Sequence, residues 1–398
     1  MNQMDNFNWN FPTEMMYGPG RLNELGDIAK NYGNKVFLAT YEPSPAIAPL
    51  IQRTISILVN AGLKVTTFEK IEPNPRAHTI DEGVALFKQS GCDCIVALGG
   101  GSVIDGAKYI SATAFSGGAA WDYVVLGDRK PREYTGAYPI VAVPTVSAAG
   151  SEVNAGGVLT NWETKEKSFS RSPYRIPKAA IIDPEVLATL PLPITKDSCI
   201  DIFSHLIERY LSDDDKSEFA DRITEGLILL LKDSFTKIVK EPTDIETRGT
   251  LALCSIFGWQ GIQALGRMGS IPMHSIEMPL SAHYDMPHGH GMGIVIPAYL
   301  QYNADKLPHR WAKLARRCFD ITEKDDHKAA KLLAPAVIDW FKSVDSYFTL
   351  SKDGVNNDKF KIMADDVMRM FGNREKDRIN CIIPIGVEDI IKIYHLAL

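Results

Sequence analysis

Cys94-Ile-Val-Ala-Leu98-Gly99-Gly100-Gly101-Ser102-Val103-Ile104-Asp105 sets an aliphatic run directly against three glycines and the opening of a helical pattern. A short unbroken apolar run reads as a strand covered on both faces, as at the centre of a parallel sheet. Glycines at its end let a ligand approach the backbone, and the first N–H groups of a following helix favour an anion. Gly99, Gly100, Gly101 and Ser102 are therefore candidates for holding a dinucleotide pyrophosphate, with Asp105 one turn further on. The spacing is not G-x-G-x-x-G, because Ile104 takes the third glycine's place. A tight structural turn explains the motif equally well.

The same grammar repeats on both sides. Lys35–Ala39, Leu63–Phe68, Pro139–Val143 and Ala179–Asp183 read as further strands, and Ala46–Asn60, Asp81–Gln89 and Ser102–Ala114 as helices. Strands alternating with helices make an α/β domain around a parallel sheet. The polar turn Thr145-Val-Ser147-Ala-Ala-Gly150-Ser151-Glu152 follows one of these strands, on the side where such sheets bind ligands. Its hydroxyls suit a phosphate or a carboxamide, or simply cap the next element. From about residue 195 the apolar residues recur at helical spacing, in Ile200–Leu211, Ile223–Ile238, Arg248–Leu265 and Ala329–Phe341. The expected division is residues 1–192, an α/β domain, and 193–398, a helical one, with Pro191-Leu-Pro193 as the hinge.

Bulk properties exclude several classes. A chain of 398 residues and 44.1 kDa is long enough for two domains. Its charge of -6 comes from interspersed residues with no basic block, which argues against nucleic acid. The longest aliphatic run, Leu227–Leu231, is too short to span a bilayer, and Met1–Asn8 lacks the features of a secretory signal. Cys92-Asp-Cys94 resembles a metal pair without a second pair, so two buried thiols at a strand start is the better reading. With scattered cysteines and no signal, the reducing cytoplasm is the expected compartment.

Four of the nine histidines, His274, His283, His288 and His290, fall within one short stretch. Upstream, Asp201 and His205 stand four apart on a predicted helix and share a face. One carboxylate and three imidazoles, Asp201, His205, His274 and His288, would make an oxygen/nitrogen set suited to Fe(II) or Zn(II). Against this, Asp201, His205, Glu208 and Ser212 form a continuous polar stripe that a solvated helix face explains more readily.

In this setting the chain resembles the iron-containing (group III) alcohol dehydrogenases, above all their butanol-dehydrogenase branch. The likeness rests on Met16-Tyr-Gly-Pro-Gly20, Glu72-Pro-Asn-Pro-Arg76, Leu98–Asp105, Gly150-Ser-Glu152, Thr160–Lys167, Ile182-Asp-Pro184, Asp201-x-x-x-His205 and Tyr284–Gly289, in that order. It implies a Rossmann-like dinucleotide-binding α/β domain followed by a helical metal-binding domain, as in dehydroquinate synthases, with the active site in the cleft between them. It implies Asp201, His205, His274 and His288 as metal ligands and as the catalytic centre. Gly99, Gly100, Gly101, Ser102, Asp105, Thr145, Ser147, Lys167 and, more weakly, Asn74 are the implied cofactor contacts. The implied reaction is hydride transfer between NAD(P)(H) and a small primary alcohol or aldehyde, by a homodimer with one divalent metal, Fe(II) or Zn(II).

The chain departs from that pattern in places. Met278 stands where many relatives carry a histidine that relays a proton, which leaves His283, His290 or water for that task. Ala149 replaces a threonine in the turn after the fourth strand. Glu42 lies one place from where an aspartate would favour NAD, so NADP and NAD both remain, NADP slightly ahead. A sugar-phosphate cyclase of the same fold is the rival reading, but Ile271–Tyr299 contains no Lys or Arg to hold a phosphate. A fold-retaining binding protein that has lost catalysis is the other.

Overall fold

The structure is a computed structural model that describes residues 4–212, 215–267, 270–373, 377–379 and 381–398. The first three residues of the stretch read against a signal peptide lie outside the described residues.

The first part of the chain runs β1 (Glu14–Tyr17), α1 (Leu25–Lys30), β2 (Lys35–Thr40), α2 (Ala48–Asn60), β3 (Lys64–Glu69), α3 (Ala77–Ser90), β4 (Cys94–Gly99), α4 (Gly101–Ser116) and β5 (Ile140–Pro144). It continues with β6 (Gly156–Asn161), β7 (Glu166–Arg171), β8 (Ala179–Ile182) and the short α5 (Pro184–Leu187). Six strands form one sheet in the order β1-β8-β5-β4-β2-β3, all pairs parallel. The expected α/β domain is present. Alternation within the strands builds two cores, because successive side chains point to opposite faces. Val36, Leu38, Val96 and Leu98 pack with Leu25, Leu50 and Leu58 of α1 and α2. Phe37, Ala39, Ile95 and Ala97 pack with Ile80, Phe87, Val103 and Ala107 of α3 and α4. The connections leaving the adjacent strands β2 and β4 thus turn to opposite faces. The crevice beyond their carboxyl ends is where such sheets bind ligands.

The antiparallel β6–β7 pair was not expected from the sequence. Glu166–Arg171 reads EKSFSR, with no aliphatic run to announce a strand.

The remaining helices are α6 (Leu192–Leu211), α7 (Glu218–Lys240), α8 (Ile245–Trp259), α9 (Pro272–Tyr284), α10 (His288–Asn303), α11 (Pro308–Cys318), α12 (Asp326–Ser343), α13 (Phe360–Phe371) and α14 (Val387–Leu396). The second half is helical, as its periodicity predicts, apart from a minimal strand pair, Gly372–Asn373 with Arg378–Ile379. The expected helix Arg248–Leu265 ends at Trp259, and Gly261 follows at a φ of 84°. Of the residues read as a hinge, Leu192 and Pro193 open α6, with Pro193 in its first turn, where a missing N–H costs nothing.

The chain forms two compact units. One comprises Asn10–Thr195 with Glu241–Ile256, and the other comprises the segment up to Trp9, Lys196–Lys240 and Phe257–Leu398. Most of α8 joins the sheet unit for identifiable reasons. The Arg248 guanidinium donates to Leu190 O at 2.9 Å and Thr195 Oγ1 at 2.6 Å, and Ser255 Oγ accepts Gly150 N–H at 3.1 Å.

Candidate metal centre and cofactor turn

The stripe on α6 is not solvated. Asp201, His205, Glu208 and Ser212 are 4%, 5%, 1% and 7% exposed, which corrects the surface-face expectation. Periodicity places polar residues on one face but cannot say what covers it. Asp201, His205 and His274 each offer a donor atom within 4.8 Å of the others. His288 joins them, its Nε2 at 3.5 Å from Asp201 Oδ1. The His274 ring lies 4.7 Å from that of His205 and 5.2 Å from that of His288, centroid to centroid. All four expected ligands meet. Local geometry explains how His288 arrives: Asp285, in the left-handed region at φ 53°, ends α9, and α10 opens at His288.

The chemistry of this cluster suits a divalent cation. His274 Nε2 and His205 Nδ1 are buried without a hydrogen-bond partner, and buried polar atoms are seldom left so. Buried carboxylates accumulate here, Asp201, Glu208 and Glu277, while Ile271–Tyr299 supplies no Lys or Arg. Burial pushes the His205 pKa down to about 3 despite the pull of Asp201. Burial also opposes charge on His274, but Glu208 beside it prevails and its pKa is raised. A neutral imidazole and a carboxylate are the forms that bind metal.

Two side chains that sequence reasoning gave no role in the site orient these imidazoles. Glu208 hydrogen-bonds His274 Nδ1, and Glu277 hydrogen-bonds His288 Nδ1. A signal was available: His205-x-x-Glu208 and His274-x-x-Glu277 carry the same spacing. The other two histidines are engaged elsewhere. His283 Nε2 lies 2.7 Å from Asp366 Oδ2, and His290 Nε2 lies 2.7 Å from Asp353 Oδ2. Met278 is buried.

In the sheet unit, the glycine turn lies at the β2/β4 crevice. A Cβ on Gly100 would meet Tyr41 Oη at 2.8 Å and Val146 at 2.9 Å, whereas one on Gly101 meets nothing nearer than Ala149 at 3.9 Å. Gly100 is thus required by packing, and Gly101 faces room for a ligand. Gly100 N–H donates to Tyr41 Oη at 3.0 Å. The N–H groups of Gly101 and Ser102, in the first turn of α4, have no helical carbonyl to reach. Thr145 N–H donates to Gly99 O at 3.0 Å, which seats Thr145 and the following Ser147 beside the turn. Asp105 is committed within the protein: one oxygen accepts the Ser151 hydroxyl and the other Val158 N–H at 2.9 Å. Lys167, buried, donates to Asn74 Oδ1 at 3.0 Å.

Family models agree with this arrangement. Residues 12–184 match the iron-containing alcohol dehydrogenase model, and residues 195–398 match that family's C-terminal model. A probable NADH-dependent butanol dehydrogenase of Bacillus subtilis is 34% identical over 92% of this chain and 94% of its own length. NADH-dependent butanol dehydrogenase A of Clostridium acetobutylicum is 31% identical, with 98% and 99% covered. The crystal structure of an NADH-dependent butanol dehydrogenase A from Thermotoga maritima superimposes with a TM-score of 0.93 at 30% identity, covering both chains in full. The chain belongs to the iron-containing alcohol dehydrogenase family, among its butanol-dehydrogenase-like members. It is an oxidoreductase of the NAD(P)-dependent alcohol dehydrogenase/aldehyde reductase class.

Proposed function

We propose that the protein interconverts small primary alcohols and their aldehydes with NAD(H), using one divalent metal, Fe(II) ahead of Zn(II). Asp201, His205, His274 and His288 would hold the ion. The observation that carries this reading is their convergence around a buried, unpartnered His274 Nε2. When bound, the ion would polarise the substrate oxygen as a Lewis acid, and the nicotinamide would carry the hydride.

The chain's own residues prepare that chemistry. Asp201 offers the one anionic oxygen, and the imidazoles keep added charge low. Trp259, with its ring 4.5 Å from that of His205, shields that side from water. Gly99, Gly100, Gly101 and Ser102 would seat the pyrophosphate on the first turn of α4, and Thr145 and Ser147 would offer hydroxyls. Asn74 and Lys167 would meet the cofactor as a bonded pair. Asp105 would act by fixing Ser151 and β6 in place.

Preference for NAD(H) reverses the slight lean toward NADP. Glu42 is exposed immediately beyond β2. A carboxylate there accepts hydrogen bonds from ribose hydroxyls and repels a 2′-phosphate. The relatives named above as NADH-dependent support the same choice. Residues 1–192 would serve as the dinucleotide-binding domain and 193–398 as the metal-binding domain, a division supported by the gap between the two family models. A homodimer in the cytoplasm completes the reading; among the described residues the cysteines are free thiols and no helix is long and apolar enough to cross a membrane.

The test is direct. Protein reconstituted with Fe(II), and separately with Zn(II), is mixed with short aldehydes and NADH or NADPH, and loss of reduced-nicotinamide absorbance is followed. Turnover is expected, faster with NADH. Absence of turnover under every combination sinks the proposal. His274→Ala should lose both bound metal and turnover; full activity in its metal-free form would end the ligand assignment.

A further inference from the structure

Each imidazole that reaches the cluster from α9 or α10 is held from behind by a carboxylate of an earlier helix. Glu208 of α6 bonds His274 Nδ1 on α9, and Glu277 of α9 bonds His288 Nδ1 on α10. Neither carboxylate is free to swing. Glu208 Oε1 also accepts the backbone N–H groups of Met273 and His274, the latter at 3.1 Å, which belong to the first turn of α9. Glu277 Oε1 accepts the Ser281 hydroxyl at 2.6 Å. Both side chains are buried.

The structure also reserves room for one of them. A Cβ on Gly291 would meet Glu277 Oε1 at 2.6 Å and its Cγ at 2.9 Å. Gly291 is helical with a negative φ, a position where alanine would otherwise be preferred. Its smallness therefore serves the carboxylate. His205 has no such support: its Nδ1 is unpartnered, and its ring lies against Trp259 and His274.

We infer that Glu208 and Glu277 are positioning residues of the metal centre, each fixing one imidazole through Nδ1 so that ion retention depends on carboxylates that do not touch the ion. The inference rests on the proposed ligand set. An Nδ1–H donated to a carboxylate selects the tautomer with its lone pair on Nε2, fixes the ring's rotation and makes that nitrogen a better donor. His205, oriented by packing alone, is the imidazole without this reinforcement.

Zn(II) affinity, measured by competition with a chromophoric chelator, reads the effect without any assay of turnover. Glu208→Gln and Glu277→Gln keep size and an acceptor but lose the charge. Each should weaken Zn(II) binding about 10- to 100-fold. The rise in melting temperature on adding Zn(II) should shrink accordingly, because that rise reports affinity for the folded state. A purely structural role would lower the metal-free and metal-loaded transitions together and leave the rise intact. Gly291→Ala, which alters no charged group, should weaken Zn(II) binding in the same direction, and it decides the matter if circular dichroism finds either glutamine variant unfolded. Wild-type Zn(II) affinity in all three variants, beside a His274→Ala protein that has lost Zn(II), refutes the positioning role and leaves the ligand set standing. Should His274→Ala also keep Zn(II), the ligand set falls and this inference with it.

Discussion

Tyr41 and Glu42 are neighbours with opposite tasks, and the difference shows how much one side chain decides. Tyr41 points into the sheet unit and holds the Gly100 N–H, whereas Glu42 is exposed where the chain leaves β2. If the adenosine ribose lies beside β2, as the crevice between β2 and β4 implies, Glu42 contributes one charge-assisted hydrogen bond, worth roughly 1.5–3 kcal/mol. Glu42→Gln should then lower the ratio of kcat/KM for NADH over NADPH by about 10- to 100-fold, at about 1.4 kcal/mol per factor of ten. A ratio unchanged within error would remove Glu42 from the cofactor site. Asp105 teaches the complementary lesson. Its sequence position fits a cofactor contact, and in the structure one of its oxygens accepts the Ser151 hydroxyl and the other Val158 N–H. Which partner wins a carboxylate depends on residues about fifty positions away, and local sequence carries no record of them.

Elements with strong periodicity were readable in advance, and those without it were not. The aliphatic runs of β2, β4 and β5 and the helical spacing of α6, α7 and α12 follow the pattern that burial imposes. β6 and β7 do not, because they are rich in Gly, Ser, Thr and Lys, lack a long aliphatic run, and pair with each other in a ribbon separate from the six-stranded sheet. The acid–imidazole spacing of α6 was visible, but its burial was not, since a polar stripe looks alike under water and under another helix. The α4–β6 region holds a buried ionisable pair with a testable consequence. Lys108, wholly buried, donates to Ser151 Oγ at 2.7 Å and Gly156 O at 2.8 Å, and burial lowers its pKa to about 8. Burial raises Glu152 to about 7, with Lys108 opposing. A carboxyl whose folded pKa exceeds its unfolded value contributes fully below the unfolded value, near 4.5, and that stability is lost as pH rises to about 7. At pH about 8 the ionised group costs on the order of 1–3 kcal/mol. Glu152→Gln should therefore gain stability over wild type at about pH 8 and little at about pH 5, by denaturant titration. Parallel pH profiles for the two proteins would show that Glu152 is ionised without penalty.

Charge compensation divides the molecule as much as secondary structure does. In the helical unit, buried Asp221 is answered inside the protein, by Arg267 at 2.6 Å and Arg310 at 2.8 Å. Asp201, Glu208 and Glu277 face imidazoles, and Glu208 and Glu277 also accept backbone N–H groups and the Ser281 hydroxyl, respectively, while Ile271–Tyr299 supplies no Lys or Arg. A buried carboxylate without full compensation costs several kcal/mol. The ion of the proposed centre would supply that compensation, so its removal should be felt by α6, α9 and α10 and hardly at all by the sheet. An ion present at about a hundred times its Kd stabilises the folded state by about 3 kcal/mol. Chelation should thus accelerate amide hydrogen exchange in α9 and α10 by about a hundredfold while β2, β4 and β5 keep their protection. NADH should act in the opposite place, slowing exchange at Gly101 and Ser102 and leaving α9 unchanged in the metal-free protein. Exchange that quickens evenly across both units on chelation, or not at all around His274, would mean that the ion is not what neutralises these carboxylates.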